Sequence, residues 1–272
     1  MKKWTRVLAL GLSAAMLMAV AGCSNSGETD GGSSAPSGVS ANEDTKDYQL
    51  VTDGVLTVGT NAEFPPFEFL SNNEIDGVDP AMVKAIGEKL GLKVEIKDMA
   101  FDSLDSALTG GQVDMIAAGY TITSDRLENM DFADSYYTAE QTIIVRSDSG
   151  YTSKEDLKGK VIGGQTGTTG LITSAEEITE SDNIKGYSNG ATAVQDLLNG
   201  NLDAVIIDNN PAKEYKEQHS DELTLITGQF EPEKYAYAVR KGNTALQQAI
   251  NDALQELKDD GTFDQIIDEY IK

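Results

Sequence analysis

The 272-residue chain contains one cysteine, one histidine and one tryptophan. A lone cysteine rules out an intramolecular disulfide and a Cys-rich metal site. The lone histidine, His219, lies in a polar stretch. Neither a Ser-His-Asp triad, a Cys-His pair nor a His-based metal cluster can be assembled from it. No catalytic residue, no metal and no cofactor is therefore expected. Carboxylates alone can carry acid–base chemistry, so an enzyme of that kind stays open at this point. Cations are scarce: 21 Lys and Arg stand against 45 Asp and Glu, a net charge of −24. Such a surface argues against nucleic acid and against direct docking on anionic lipid. Solubility is reason enough for the charge, and no cationic ligand follows from it. Past the N-terminus, no apolar run approaches the ~20 residues of a membrane span.

The first residues read differently. Lys2, Lys3 and Arg6 precede an apolar run from Val7 to Val20, too short for a span and patterned like a secretory signal. Val20-Ala21-Gly22-Cys23 follows at once and resembles a bacterial lipobox. That resemblance implies cleavage after residue 22 and a lipid on the Cys23 thiol, which would tie the protein to a membrane. Removing three cations and no anions takes the net charge from −24 to −27. Residues 23–48 are rich in Ser, Gly, Asp, Asn and Glu and cannot build a core, so they read as a flexible tether. The remainder is long enough for one large domain or two small ones.

From Val55 onward, short strands alternate with short helices. Val55–Thr60 reads as a strand. Asp79 and Pro80 read as a helix cap and first helical residue, with Val83, Ile86 and Leu90 at helical spacing and Gly91 as the stop. Lys93–Lys97 and Val113–Ala118 read as strands flanking a helix over Asp102–Thr109. The second half repeats the theme, with strands at Thr142–Arg146, Lys160–Gly163 and Leu202–Ile207. Helices are expected after the Gly167–Gly170 turn, at Ala191–Leu198, at Pro211–Gln218 and at the C-terminus. The pattern predicts an α/β fold with parallel strands. An echo links the halves: Gly111-Gln112-Val113-Asp114 leads into an apolar strand ending near Gly119, and Gly200-Asn201-Leu202-Asp203 into one ending at Asp208. Ligands gather outside the carboxyl ends of such strands, so two similar lobes clamping a ligand are expected.

The stretch from Val58 to Phe69, with Asn61-Ala62-Glu63-Phe64-Pro65-Pro66-Phe67-Glu68 at its centre, resembles the opening motif of the family 3 extracellular solute-binding proteins. These are the polar amino-acid receptors of ABC importers. Gly77-Val78-Asp79, Thr121 to Arg126, Asp131 to Tyr137, Gly164 to Thr169 and Asp203 to Asp208 follow in the family order. The resemblance implies a two-lobed type II periplasmic-binding-protein fold with two hinge crossings. Residues 49–140 plus 233–272 would form one lobe and 141–232 the other, crossing near Thr138–Thr142 and Glu231–Tyr235. It also implies a monomer that hands a free amino acid to an ABC transporter permease outside the cytoplasm. The lipid tether suits a Gram-positive cell surface.

An α-amino acid brings a carboxylate, an ammonium and a side chain, and each must find a partner once buried. The resemblance assigns the carboxylate to Arg126, whose guanidinium fork can take both oxygens, and to the backbone N–H groups of Thr121 and Thr169. Thr169 is read as opening a helix, where an anion is favoured. The ammonium falls to Asp208, with the Gly119 carbonyl and the Thr121 hydroxyl. Asn61, Phe64, Phe101, Tyr120 and Gln165 align with side-chain specificity positions. Asn61 stands where receptors for cationic amino acids often have a carboxylate. With Gln165 it suits an amide or other neutral polar side chain; arginine or lysine stay open if Glu63 or Asp79 reaches inward. The sequence departs from the family pattern at Val78 and at Asp105-Ser106. Two rivals stay open: a cyclohexadienyl-dehydratase-like enzyme on the same fold, and a ligand-sensing lipoprotein.

Overall fold

The computed structural model describes residues 48–271; the signal, lipobox and almost all of the tether lie outside them. Val55–Thr60 is buried along nearly its whole length, as a strand covered on both faces must be. It pairs in parallel with Lys93–Asp98 on one side, Val58 opposite Ile96, and with Met115–Ile116 on the other. Ala238–Arg240 and then Met130–Phe132 complete this five-stranded sheet in antiparallel sense. Successive strand residues point to opposite faces. Met115 accordingly joins a core built with helices Val78–Leu90 and Thr244–Asp259, while Ile116 joins a second core with Leu104 and Leu108.

The second sheet repeats the order. Ile162–Gln165 lies between Ile184–Tyr187 and Ala204–Asp208, both parallel to it. Gln141–Arg146 and Leu223–Ile226 follow in antiparallel sense. Helices Gly190–Leu198 and Asn209–Gln218 bring Ala193, Val194, Leu197, Ala212 and Tyr215 against one face. Leu157, Ala175 and Ile178 cover the other. The two echoed segments, Met115–Ile116 and Ala204–Asp208, hold the same third place in their sheets. Between the sheets the chain passes twice, through Tyr137–Ala139 and Glu233–Tyr235, which pair antiparallel with Thr138 opposite Lys234. The next strand after each crossing, Gln141–Arg146 or Ala238–Arg240, is the fourth strand of the sheet it enters.

Several expected elements change. The helix predicted from Asp79 begins at Val78 with Gly77 as its N-cap, because the Asp79 side chain is taken by a long-range partner described below. The helix expected after Gly167–Gly170 is a single turn, Gly170–Ser174. Gly77 has a positive φ of 125°, a conformation that L side chains rarely adopt, and a Cβ there would collide with the Phe67 carbonyl. Gly77→Ala should therefore destabilise the fold by about 3 kcal/mol or more, read as a lower urea midpoint at unchanged m-value; an unshifted midpoint would refute the close approach.

Candidate functional site

The expected residues converge because they follow parallel strands at their carboxyl ends. Asn61 follows the first strand of the first sheet; Gly119 and Thr121 follow its third; Gln165 and Asp208 end the corresponding strands of the second sheet. Phe64, Phe101, Gly119, Thr121, Arg126, Gln165, Thr169 and Asp208 line one tight cavity of about 10 Å³, with Ala118 and Thr168. A wider cleft of about 680 Å³ adjoins it and shares Thr121, Arg126 and Thr169. Small-molecule pockets run to ~300–1,000 Å³, so the cleft rather than the tight cavity has the room for a small solute.

Arg126 sits on the short helix Ser124–Asn129, whose N-cap Thr123 accepts the Arg126 backbone N–H at 3.2 Å. The side chain is 8% exposed. Its Nη1 donates to the Thr121 carbonyl at 2.7 Å and its Nη2 to the Gly167 carbonyl at 3.1 Å. The guanidinium carbon lies 3.8 Å from the Tyr120 ring centroid and 5.7 Å from that of Phe101. Among the described residues no carboxylate forms a salt bridge with it. A surface pairing with Asp125 or Glu128 is not formed. The guanidinium has five N–H donors, and a buried cation without an anionic partner is costly.

Tyr120 is fully buried and is not among the residues lining the cavity. Its ring carries Arg126, and its hydroxyl donates to Asp105, one of the three residues where the sequence departs from the family pattern. Asn61 stands behind the cavity wall. It accepts from Gln165 Nε2 at 2.7 Å, and its own Nδ2 donates to the Met99 carbonyl at 3.0 Å and to Glu63 at 3.3 Å. Gln165 Nε2 also donates to the Ser188 carbonyl at 3.0 Å. Glu63 is exposed and takes a second hydrogen bond, 2.9 Å, from Asn189.

Asp208 ends its strand, and its side chain makes no capping bond to the helix that follows. Its Oδ1 accepts from the Tyr235 hydroxyl at 2.5 Å. Burial, then the charge of Glu233, pushes the Asp208 carboxyl up to about 7; hydrogen bonds from Tyr235 and Gln141 oppose this. Asp79 neither caps its helix nor lines the cavity. It is fully buried, accepts the Gly119 N–H at 2.8 Å and the Tyr237 hydroxyl at 3.3 Å, and burial lifts it to about 6. Glu68, buried beside it, is pushed well above the usual carboxylate range by burial and by Asp79. Gly119 has φ 51°, and a Cβ there would come within 3.0 Å of the Phe64 ring. The helix that Thr169 opens is one turn long, so its dipole adds little and Arg126 is the main positive feature.

Residues that the sequence reading did not single out complete the site. Glu233, at the start of the second crossing, accepts from Thr169 Oγ1 at 2.7 Å, Thr121 Oγ1 at 2.9 Å and Gln141 Nε2 at 3.3 Å. Tyr235 stands two residues on. Nothing local marked either one. Glu68 lay inside the quoted opening motif, and its burial was not readable there.

Residues 56–272 match the model of the bacterial extracellular solute-binding proteins, family 3. A probable histidine-binding protein of Neisseria gonorrhoeae is 36% identical, over 79% of this chain and 82% of its own length. An ancestral arginine-binding protein bound to arginine superposes with a TM-score of 0.75 at 42% identity, over 80% of this chain and 99% of that one. An ancestral arginine-binding protein bound to glutamine gives 0.73 at 40% identity, over 81% and 99%. The described residues thus adopt the two-lobed type II fold.

The buried carboxyls fix a pH response. A carboxyl whose folded pKa is raised binds more protons in the folded than in the unfolded state, so stability is greatest below the unfolded pKa and is lost as pH rises through the folded one. For Asp79 and Asp208 that window runs from about 4 to about 7. The ligand-free protein should therefore melt several degrees lower at pH 8 than at pH 5, at about 2–4 °C per kcal/mol for this size. Asp208→Asn should flatten part of the slope. A melting temperature that rises across this window would contradict the assignment.

Proposed function

The chain belongs to family 3 of the bacterial extracellular solute-binding proteins, and on that premise we propose that it captures a free amino acid with a cationic side chain, arginine first, for an ABC importer. The observation that carries this reading is the buried Arg126 guanidinium, which has no carboxylate partner among the described residues, across one small cavity from the Asp208 carboxyl. A cation and an anion facing one void are complementary to the carboxylate and ammonium of a zwitterion. Arg126 binds the ligand carboxylate with the backbone N–H groups of Thr121 and Thr169; Asp208 binds the ammonium with the Gly119 carbonyl and the Thr121 hydroxyl.

The side-chain end follows from donor bookkeeping. An amide nitrogen has two hydrogens. Gln165 spends both on Asn61 and Ser188, and Asn61 spends both on Met99 and Glu63. The capacity that Gln165 has left is its acceptor oxygen, and the Glu63 carboxylate stands behind the pair. Phe64 and Phe101 flank the space, and aromatic faces attract cations. An acceptor, two rings and a nearby negative charge favour guanidinium. Glutamine, whose terminal amide also donates, is the second choice, and an ancestral arginine-binding protein was solved with glutamine.

The lobes assigned above, 49–140 plus 233–272 and 141–232, close because the ligand makes both contact sets only when they meet. Signal 1–22, the lipid on Cys23 and the tether 23–48 hold the receptor at the outer face of a membrane, as a monomer beside its permease. Cys23→Ala should release the protein into the medium; retention at the membrane would refute the anchor.

Calorimetric titration of residues 24–272 tests the ligand. Arginine should bind at micromolar Kd or tighter, about 8 kcal/mol. Arg126→Ala should weaken it by at least about 100-fold, as expected when one partner of a buried charge pair is removed. Glu63→Gln should weaken arginine by about two- to fivefold, the scale of an exposed charge, and leave glutamine unchanged. Wild-type affinity in Arg126→Ala would sink the carboxylate site, and binding of glutamine alone would move the ligand to the second choice.

A further inference from the structure

Glu233 lies on the crossing strand Glu233–Tyr235, half-buried, and makes no salt bridge among the described residues. One of its oxygens, Oε2, accepts from a hydroxyl of each lobe, Thr121 at 2.9 Å and Thr169 at 2.7 Å, and from the Gln141 amide at 3.3 Å. A hydroxyl has a single hydrogen to donate. With that hydrogen committed to Glu233, each threonine oxygen faces other partners only as an acceptor. Thr169 shows this polarity: its oxygen accepts from Gln141 Nε2 at 3.2 Å. An ammonium needs acceptors and a carboxylate needs donors, so a hydroxyl held in this way serves the first and refuses the second.

We propose that Glu233 is a positioning residue for ligand recognition: it takes the hydroxyl protons of Thr121 and Thr169, making them acceptors for the ligand ammonium, and it sets a second negative charge on the strand whose Tyr235 hydroxyl holds Asp208, the ammonium partner. This rests on the assignment of the ammonium to Asp208. The groups around Asp208 are Tyr235 and Glu233 on the crossing strand, Gln141 at the start of the neighbouring strand, Glu68 on the short strand Glu68–Ser71 with Asp79 behind it, and Arg126 across the cavity. Glu233 and Tyr235 are alternate residues of one strand and so point to the same side; the Tyr235 hydroxyl reaches Asp208 at 2.5 Å, and the nearby Glu233 charge adds to burial in raising Asp208. Binding an ammonium requires ionised Asp208, so affinity should fall as pH drops below about 7 in the wild-type protein.

The experiment is titration of L-arginine, or of L-glutamine if it binds more tightly, from pH 5 to pH 8 into wild-type, Glu233→Gln and Glu233→Ala proteins, with melting of each ligand-free protein over the same range. Glu233→Gln retains an acceptor oxygen but loses the charge. It should keep the pH 8 affinity within about threefold and move the acid limb down by about half a pH unit or more. It should also shrink the fall in melting temperature between pH 5 and pH 8. Glu233→Ala loses the acceptor too and should lose about tenfold at pH 8, one buried hydrogen-bond arrangement being worth roughly 1.4 kcal/mol. An unmoved acid limb and unmoved melting slope in Glu233→Gln would overturn the charge role. Unchanged pH 8 affinity in Glu233→Ala would overturn the hydroxyl role. Asp208→Asn with wild-type affinity would instead remove the ammonium assignment beneath both.

Discussion

The Arg126 guanidinium is taken out of water with no carboxylate among the described residues to meet it, and the architecture of the cleft follows from that arrangement. Carbonyls of Thr121 and Gly167 accept two of its hydrogens, and the Tyr120 face lies against its plane. Such partners soften the burial of a cation without neutralising it. The Tyr120 ring in turn needs its own support, from stacking on Phe132 and from the Asp105 carboxylate. Remaining donors and positive charge therefore face the cavity, which is what an anion-seeking site requires.

On the opposite wall the problem is inverted, with too many carboxyls in too little water. Glu68, Asp79, Asp208 and Glu233 gather near the crossings, among the hydroxyls of Tyr136, Tyr235 and Tyr237. Burial and mutual repulsion favour protonation, and hydrogen bonds from Tyr235 to Asp208 and from Tyr237 to Asp79 oppose it. Three of the four have separate work. Asp79 fixes the Gly119 backbone, Glu233 ties hydroxyls across the crossing, and Asp208 stands at the cavity. Loss of native stability with rising pH is the thermodynamic trace of the arrangement.

Residue order carried the site a long way. Arg126, Thr121, Thr169, Gly119 and Asp208 sit in short motifs at strand ends, where topology alone places ligands, and they share one cavity. Phe64 and Phe101 were legible for the same reason. Tyr120 was misread as pocket lining because a one-residue step past Gly119 turns its side chain into the core beneath Arg126, and alternation within so short a segment gives no warning. Asp79 was misread as a cap because Asp before Pro is a strong local signal. The Gly119 N–H, 40 residues away, outcompetes it. Glu233 gave no signal at all, since its three partners are brought together only by closure of the crossing strands.

What the sequence by itself determined is the alternation of strand and helix, the duplicated third strand and the residue types able to meet a zwitterion. These depend on local propensity, on periodicity and on motifs that need few neighbours. Tertiary structure alone decided which donors remain free. Whether Gln165 offers a donor or an acceptor, whether Arg126 is paired, and which carboxyl keeps its proton all depend on partners distant in the chain. Hydrogen-bond capacity is finite for each atom, so a side chain's chemistry at the cavity is what its other neighbours have left unused.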